Sequence, residues 1–193
     1  MMKAQIVRVA DVAPTPWKNG GGTTRELLAW PATDDWIVRV SVADINASGP
    51  FSPYAGVDRW FAVLSGGDVS LSSAGSPPQR LGVSHTELHA FSGDAATECT
   101  ALGAATRDFN IMLRRARGRL DAHAVGHRAV LATSCELVAL FCADAAIVQA
   151  DGDAGCTVPA MALACWRNPR RTPLRLLAQP AVRGWWLAAD RRD

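Results

Sequence analysis

Lysine is almost missing from this chain: of twenty basic residues, only Lys3 and Lys18 are not arginine. Paired cysteines are missing too. Cys99, Cys135, Cys142, Cys156 and Cys165 stand singly in mostly apolar surroundings, with no Cys-x-x-Cys to hold a structural zinc ion. Free, buried thiols suit a reducing compartment. No apolar run approaches the ~20 residues of a membrane helix. The opening residues Met1 to Arg8 also lack the apolar stretch and cleavage site of a secretory signal, so a cytoplasmic protein with no membrane partner is expected. A concentrated basic stripe is absent as well: the net charge is +2 with both signs mixed along the chain, which argues against nucleic acid as a partner. The one basic cluster, Arg114, Arg115, Arg117 and Arg119, reads as a solvated strand end. There is no long stretch of helical periodicity.

What remains is a series of short apolar segments punctuated by glycine and proline. Trp36 to Ile45 is the clearest strand, because Val38, Val40 and Val42 alternate with Arg39, Ser41 and Ala43. That alternation puts Arg39 and Ser41 on one face. Arg59 to Leu64 and Val69 to Leu71 read as a hairpin turning at Ser65-Gly66-Gly67-Asp68. In residues 108–113, Asp108, Asn110 and Met112 share a face opposite Phe109, Ile111 and Leu113, a polar lining backed by an apolar surface. Further segments at Ala129 to Leu131, Glu136 to Cys142, Ala145 to Val148, Met161 to Cys165, Leu174 to Leu177 and Trp185 to Ala188 extend the pattern. Many short strands at close spacing predict an all-β sandwich or barrel protein, with 193 residues enough for two sets of strands.

The densest stretch is Pro16-Trp17-Lys18-Asn19-Gly20-Gly21-Gly22-Thr23-Thr24-Arg25-Glu26. Three successive glycines cost folding entropy, and they allow close backbone approach or positive φ. Around them stand an aromatic ring, an ammonium group, a carboxamide, hydroxyls and a carboxylate, so a polar ligand would meet several partners in one loop. A Gly-rich turn between two strands, with Lys18 in solvent, is the plainer alternative.

This stretch resembles the opening signature of the HutD/Ves family of bacterial bicupin proteins. Arg39-Val40-Ser41-Val42-Ala43, Gly49-Pro50-Phe51-Ser52, Gly56-Val57-Asp58-Arg59, Leu64-Ser65-Gly66-Gly67, Phe91-Ser92-Gly93-Asp94 and residues 108–112 are similar to further family blocks, in the family's order, over about the first 115 residues. Val38 stands where the family usually has Trp, Tyr54 where it has Phe, and Ala55 where it has Pro. The resemblance implies two jelly-roll-like, cupin-type β-barrels in one chain. Residues 1–118 would form the first barrel with a ligand pocket, and 119–193 a second, smaller barrel packed on it. It also implies a link to bacterial histidine utilisation, in which a HutD protein binds a pathway metabolite and restrains the pathway; the related name Ves carries only a stress-response association.

Metal-binding cupins carry a His-x-His pair and a Glu on one barrel strand, but the matching hairpin here reads Asp58-Arg59-Trp60-Phe61. An inward Arg repels a divalent cation and attracts an anion. His85 and His89, if in a strand, lie ~13 Å apart, too far to share an ion; His123 and His127 repeat that spacing. Ser41 and Ser52 have no nearby His, and the cysteines lie in apolar context, so no catalytic residue, metal or other cofactor is assigned. The candidate ligand-binding groups are Lys18, Asn19, Gly20, Gly21, Gly22, Thr24 and Glu26 from the N-terminal stretch, with Arg39, Ser41, Asp58, Arg59, Asp108 and Asn110. Fixed charges and amides of this kind recognise rather than react. The expectation is metal-independent binding of a small anionic metabolite, of the urocanate or N-formylglutamate class. Two alternatives remain: a cupin isomerase or hydrolase using Glu26 or Asp108 as general base, and a Ves-like or interaction role with Trp185-Trp186 exposed and the chain forming a homodimer.

Overall fold

The computed structural model describes residues 3–127, 129–150, 155–178 and 182–192. In chain order its strands are β1 Gln5–Arg8, β2 Thr15–Pro16, β3 Gly22–Trp30, β4 Val38–Ile45, β5 Gly49–Pro50, β6 Val57–Gly66, β7 Val69–Ser73, β8 Gln79–Leu81, β9 His89–Ser92, β10 Thr97–Ala101, β11 Thr106–Arg114, β12 Gly118–Ala124, β13 Val130–Thr133, β14 Leu137–Cys142, β15 Ala146–Ala150, β16 Cys156–Val158, β17 Ala162–Arg167, β18 Leu174–Ala178 and β19 Gly184–Arg191. Helix is confined, among the described residues, to the one-turn segments Val9–Asp11 and Val125–His127. None is long and apolar enough to cross a membrane. The protein is all-β.

The chain divides into two units, Ala13–Arg117 and Met1–Val12 with Gly118–Asp193. The Ala13–Arg117 unit holds a six-stranded sheet, β2-β3-β4-β11-β6-β9, and a four-stranded one, β5-β10-β7-β8. Ile45, Phe61, Val63, Val69, Leu71, Leu81 and Cys99 form a buried core, with Trp17, Phe51 and Phe91 packed at its margin. A wholly buried side chain such as Phe61 contributes about 2–3 kcal/mol. On the opposite face of the larger sheet, Val40, Val42, Phe109 and Ile111 are also fully buried. At the end of that sheet, Asp44 of β4 accepts from Arg25 of β3 and Arg107 of β11, each at 2.6 Å. Burial alone would raise the Asp44 carboxyl, but these two guanidinium groups hold it below the usual carboxylate range.

The expected hairpin at Ser65–Asp68 is corrected: β6 and β7 belong to different sheets, and this segment carries the chain from one to the other. Gly66 makes the crossing at φ +92°, where a Cβ would overlap the Ala105 carbonyl.

The second unit has a five-stranded sheet, β1-β17-β14-β19-β12, and a four-stranded one, β13-β18-β15-β16. Its core includes Val138, Leu140, Trp166 and Trp186 with Leu131, Val148 and Leu176. Trp185 and Trp186 are both wholly buried, which removes the exposed tryptophan patch. The first strand, placed by sequence order at the start of residues 1–118, pairs through Gln5 to Arg8 with Cys165 to Ala162 of β17. The sheets have open ends, and no closed barrel is found among the described residues.

The arginine cluster is more than a solvated end. Arg114 lies 4.5 Å over the Trp36 ring, Arg115 binds Asp58 at 2.8 Å and Asp94 at 2.5 Å, and Arg117 pairs with Asp35.

Candidate functional site

Strand register builds the site. Thr24 of β3 stands opposite Ala43 of β4, which stands opposite Asp108 of β11 and then Val63 of β6. One step along, Glu26, Ser41, Asn110 and Phe61 form a second row, and one step further Arg39, Met112, Arg59 and Phe91 a third. Because side chains alternate across a strand, all three rows project from one face of the sheet. The polar members, which run from Thr24 to Asn110 in sequence, are gathered here by strand pairing. A cavity of about 820 Å³ opens over this face, closed at its sides by Thr15 to Asn19 and by Pro50 to Tyr54.

Nine of the expected residues line it: Lys18, Asn19, Thr24, Glu26, Arg39, Ser41, Arg59, Asp108 and Asn110.

Four expected residues do not line the cavity. Asp58 neighbours Arg59 on β6, so the two side chains leave opposite faces, and Asp58 turns to Arg115. Gly20, Gly21 and Gly22 shape the loop instead. Gly20 takes φ +72°, its N–H bonding the Trp17 carbonyl at 3.0 Å, and the Gly21 N–H bonds Asn19 Oδ1 at 3.0 Å. At Gly22 a Cβ would overlap the Asp44 carbonyl and touch the Trp17 ring. Trp17 in turn donates from Nε1 to Thr24 Oγ1 at 2.7 Å. The loop is thus a tight turn that presents Lys18 and Asn19.

Phe51, Tyr54 and Met112 also line the cavity but are not among the candidate ligand-binding groups. Met112 was legible, since it shares the period-2 face of Asp108 and Asn110. Phe51 and Tyr54 lie in a loop, where no periodicity marks direction.

The electrostatics are uneven. Arg39 Nε lies 2.6 Å from Glu26 Oε2, yet without the angle of a hydrogen bond, so this is a charge contact. Arg59 is 7% exposed, and its guanidinium carbon lies 5.0 Å from the Phe51 ring centre, 4.9 Å from Phe91 and 5.8 Å from Tyr54. These rings stabilise the cation, but Arg59 Nε has no hydrogen-bond partner. Burial drags Arg59 down to about 10, which still leaves it charged at neutral pH. Asp108 is buried beside it, and burial pushes its carboxyl well above the usual carboxylate range, further than the Asn110 amide and the Arg59 charge pull it back. Glu26 therefore offsets Arg39, burial disfavours the ionised form of Asp108, and Arg59 and Lys18 bring uncompensated positive charge to the cavity.

Other reactive groups stand elsewhere. Burial pushes the Cys99 thiol up to about 12, which keeps it a thiol. His85 Nδ1 accepts from the Gly82 N–H at 3.2 Å, and His89 stacks on Phe91 at 5.9 Å with burial pulling it below its ordinary value. Neither lines the cavity. His123 Nδ1 lies 3.4 Å from Asp121, and the side chain of His127 lies outside the described residues. Among the described residues, no three His, Cys, Asp or Glu side chains are gathered so as to hold a metal ion.

Comparison with known proteins agrees with this architecture. An uncharacterized 21.2 kDa protein in the hutC 3′ region of Pseudomonas putida is 39% identical over 125 residues, 63% of this chain and 65% of that protein. Protein Ves of Citrobacter koseri is 38% identical over 103 residues, 52% of this chain and 53% of that protein. The chain thus spans about half to two thirds of the length of these curated relatives. A conserved protein of unknown function from Pseudomonas aeruginosa PAO1 superposes with a TM-score of 0.82 at 30% identity, covering 99% of this chain and 100% of the other. HutD from Pseudomonas fluorescens SBW25 gives 0.82 at 24% identity, covering 98% and 100%. The HutD family profile matches residues 9–183, nearly the whole sequence, and the chain belongs to the HutD family.

Proposed function

We propose that this protein binds a small carboxylate metabolite, of the urocanate or N-formylglutamate class, in the cavity of the Ala13–Arg117 unit, without a metal. In this reading it acts in the cytoplasm as a HutD-type modulator of histidine utilisation, and its two pairs of sheets are two cupin-type folds in one chain. The observation that carries it is Arg59, a buried cation that forms no salt bridge with a carboxylate among the described residues and whose Nε is unused. An uncompensated buried charge is costly, and an entering carboxylate offsets that cost with charge-assisted hydrogen bonds. The same guanidinium, where metal-binding cupins have imidazole, disfavours a dication.

Calorimetry and thermal shift with urocanate, N-formylglutamate, histidine and glutamate test this. At a hundred times its dissociation constant, a true ligand adds ~2.7 kcal/mol of stability. Arg59→Met should weaken binding at least ~10-fold, the worth of a charged hydrogen bond, without lowering the melting temperature of the free protein. Arg59→Met binding as tightly as wild type would sink the reading.

Asp108 favours one second reading. A buried carboxyl that keeps its proton suits general acid–base chemistry, as in a cupin isomerase or hydrolase acting on a small carboxylate. Turnover of a carboxylate by the purified protein, abolished in Asp108→Asn, distinguishes it.

A further inference from the structure

Asp108 and Asn110 stand two residues apart on β11, on the same face of the sheet, 1% and 6% exposed. The Asn110 amide nitrogen donates to Asp108 Oδ1. That leaves Asp108 Oδ2 and Asn110 Oδ1 buried with no partner, both on cavity-lining residues. Two bare oxygens buried in this way are unfavourable, and buried polar atoms without partners are rare in folded proteins. Neighbouring cations do not resolve it. Arg59 lies against Phe51 and Phe91 with its own Nε unpaired, and Arg39 is in charge contact with Glu26.

A proton on Oδ2 removes the buried charge and leaves two neutral groups that a ligand can satisfy. Asp108 then becomes a hydrogen-bond donor while Asn110 Oδ1 stays an acceptor, so the pair offers one of each. Burial drives the protonation. The rows on either side supply no closer counter-charge, since Asp108 is flanked by Ala43 and Val63. The titratable groups around it are Glu26 on β3, Arg39 and Asp44 on β4, Arg59 on β6 and Cys99 on β10. Lys18 and Tyr54 stand on the loops that close the cavity. Of these, Arg59 favours the ionised form and Asp44 opposes it.

We infer that Asp108 is held as an uncharged carboxylic acid and that, with Asn110, it reads a neutral ligand edge bearing one acceptor and one N–H, such as an amide or imidazole, while Arg59 takes the ligand's carboxylate. This deepens the anion-binding reading and rests on it. The ligand class is narrowed to carboxylates that also carry such an edge; a simple dicarboxylate would leave Asn110 Oδ1 facing an acceptor. Ionised Asp108 would repel the same anion, so affinity is flat while Asp108 keeps its proton and falls up to ~10-fold per pH unit above its titration.

The test joins two measurements on the full chain. Carbon-13 NMR of aspartate-labelled protein follows the Asp108 carboxyl, identified by its loss in Asp108→Asn. Calorimetry with N-formylglutamate, whose carboxylates stay ionised between about pH 6 and pH 9, compares wild type, Asp108→Asn and Asp108→Ala. The expected result is an acid-form carboxyl at neutral pH, Asp108→Asn binding within ~3-fold of wild type with no pH dependence, and Asp108→Ala weaker by ~10-fold or more. An ionised Asp108 in protein that binds the probe overturns the inference and leaves the anion site standing. So does a folded Asp108→Asn that no longer binds, or Asp108→Ala binding like wild type. Failure of wild type to bind N-formylglutamate, urocanate or any other carboxylate overturns the anion reading, and the edge assignment with it.

Discussion

Asp108 shows at the scale of one residue what a buried polar group in a cavity wall costs. Its carboxyl lies above the ordinary carboxylate range in the folded chain, so the folded state holds a proton that the unfolded state releases. Stability is unaffected below the unfolded value, near 3.9, and falls as pH rises from there toward the folded value. Asp108→Asn removes this term, so the variant should melt higher than wild type at pH 7, with the gap closing toward pH 4. Parallel thermal melts across that range check it, and a variant less stable at neutral pH would contradict it. Much of this site was legible. The alternation Asp108, Asn110, Met112 and the pair Arg39, Ser41 follow from strand periodicity alone. The same periodicity excludes Asp58 once Arg59 is placed inward. The aromatic surroundings of Arg59 were not legible, because Phe51 comes from a loop and Phe91 from β9, and only folding brings them within 5.0 Å of its guanidinium carbon.

Among the elements, the Gly20-Gly21-Gly22 loop carries the clearest division of labour. Its glycines serve the turn, and its side chains serve the cavity. Gly22→Ala should cost about 1–3 kcal/mol, because the added methyl meets the Asp44 carbonyl and the Trp17 ring, neither of which can yield without disturbing β3 and β4. A lower urea midpoint with an unchanged slope is the expected readout; an unshifted midpoint would show that the loop relaxes freely. Strand existence was readable wherever apolar residues alternate, as in β4 and β11. It was not readable in β12, where Arg119, Asp121 and His123 alternate with Leu120, Ala122 and Ala124 and the apolar signal is weak. Nor does a Gly-Gly turn state whether the strands it joins will pair, and at Ser65–Asp68 they do not.

At the scale of the whole molecule, the N-terminal strand is set apart from the residues that follow it. β1 adds an edge to the five-stranded sheet by pairing with β17, although more than a hundred residues separate them. Deleting residues 1–8 should therefore raise amide exchange in Ala162–Arg167, since β17 loses its partner on that side. Hydrogen exchange that leaves this strand as protected as before would contradict the pairing. The division of the chain follows the same logic. Periodicity, turn residues and the ordered family blocks were enough, from the linear chain, for the all-β class, the HutD resemblance and most of the polar cavity face. These are local properties, set by alternation over a few residues. Which sheet each strand joins, which aromatic rings surround Arg59, and which buried oxygens are left without partners depend on contacts between residues far apart in sequence. Such contacts are chosen by burial and strand pairing across the whole fold, and no short stretch of sequence encodes them.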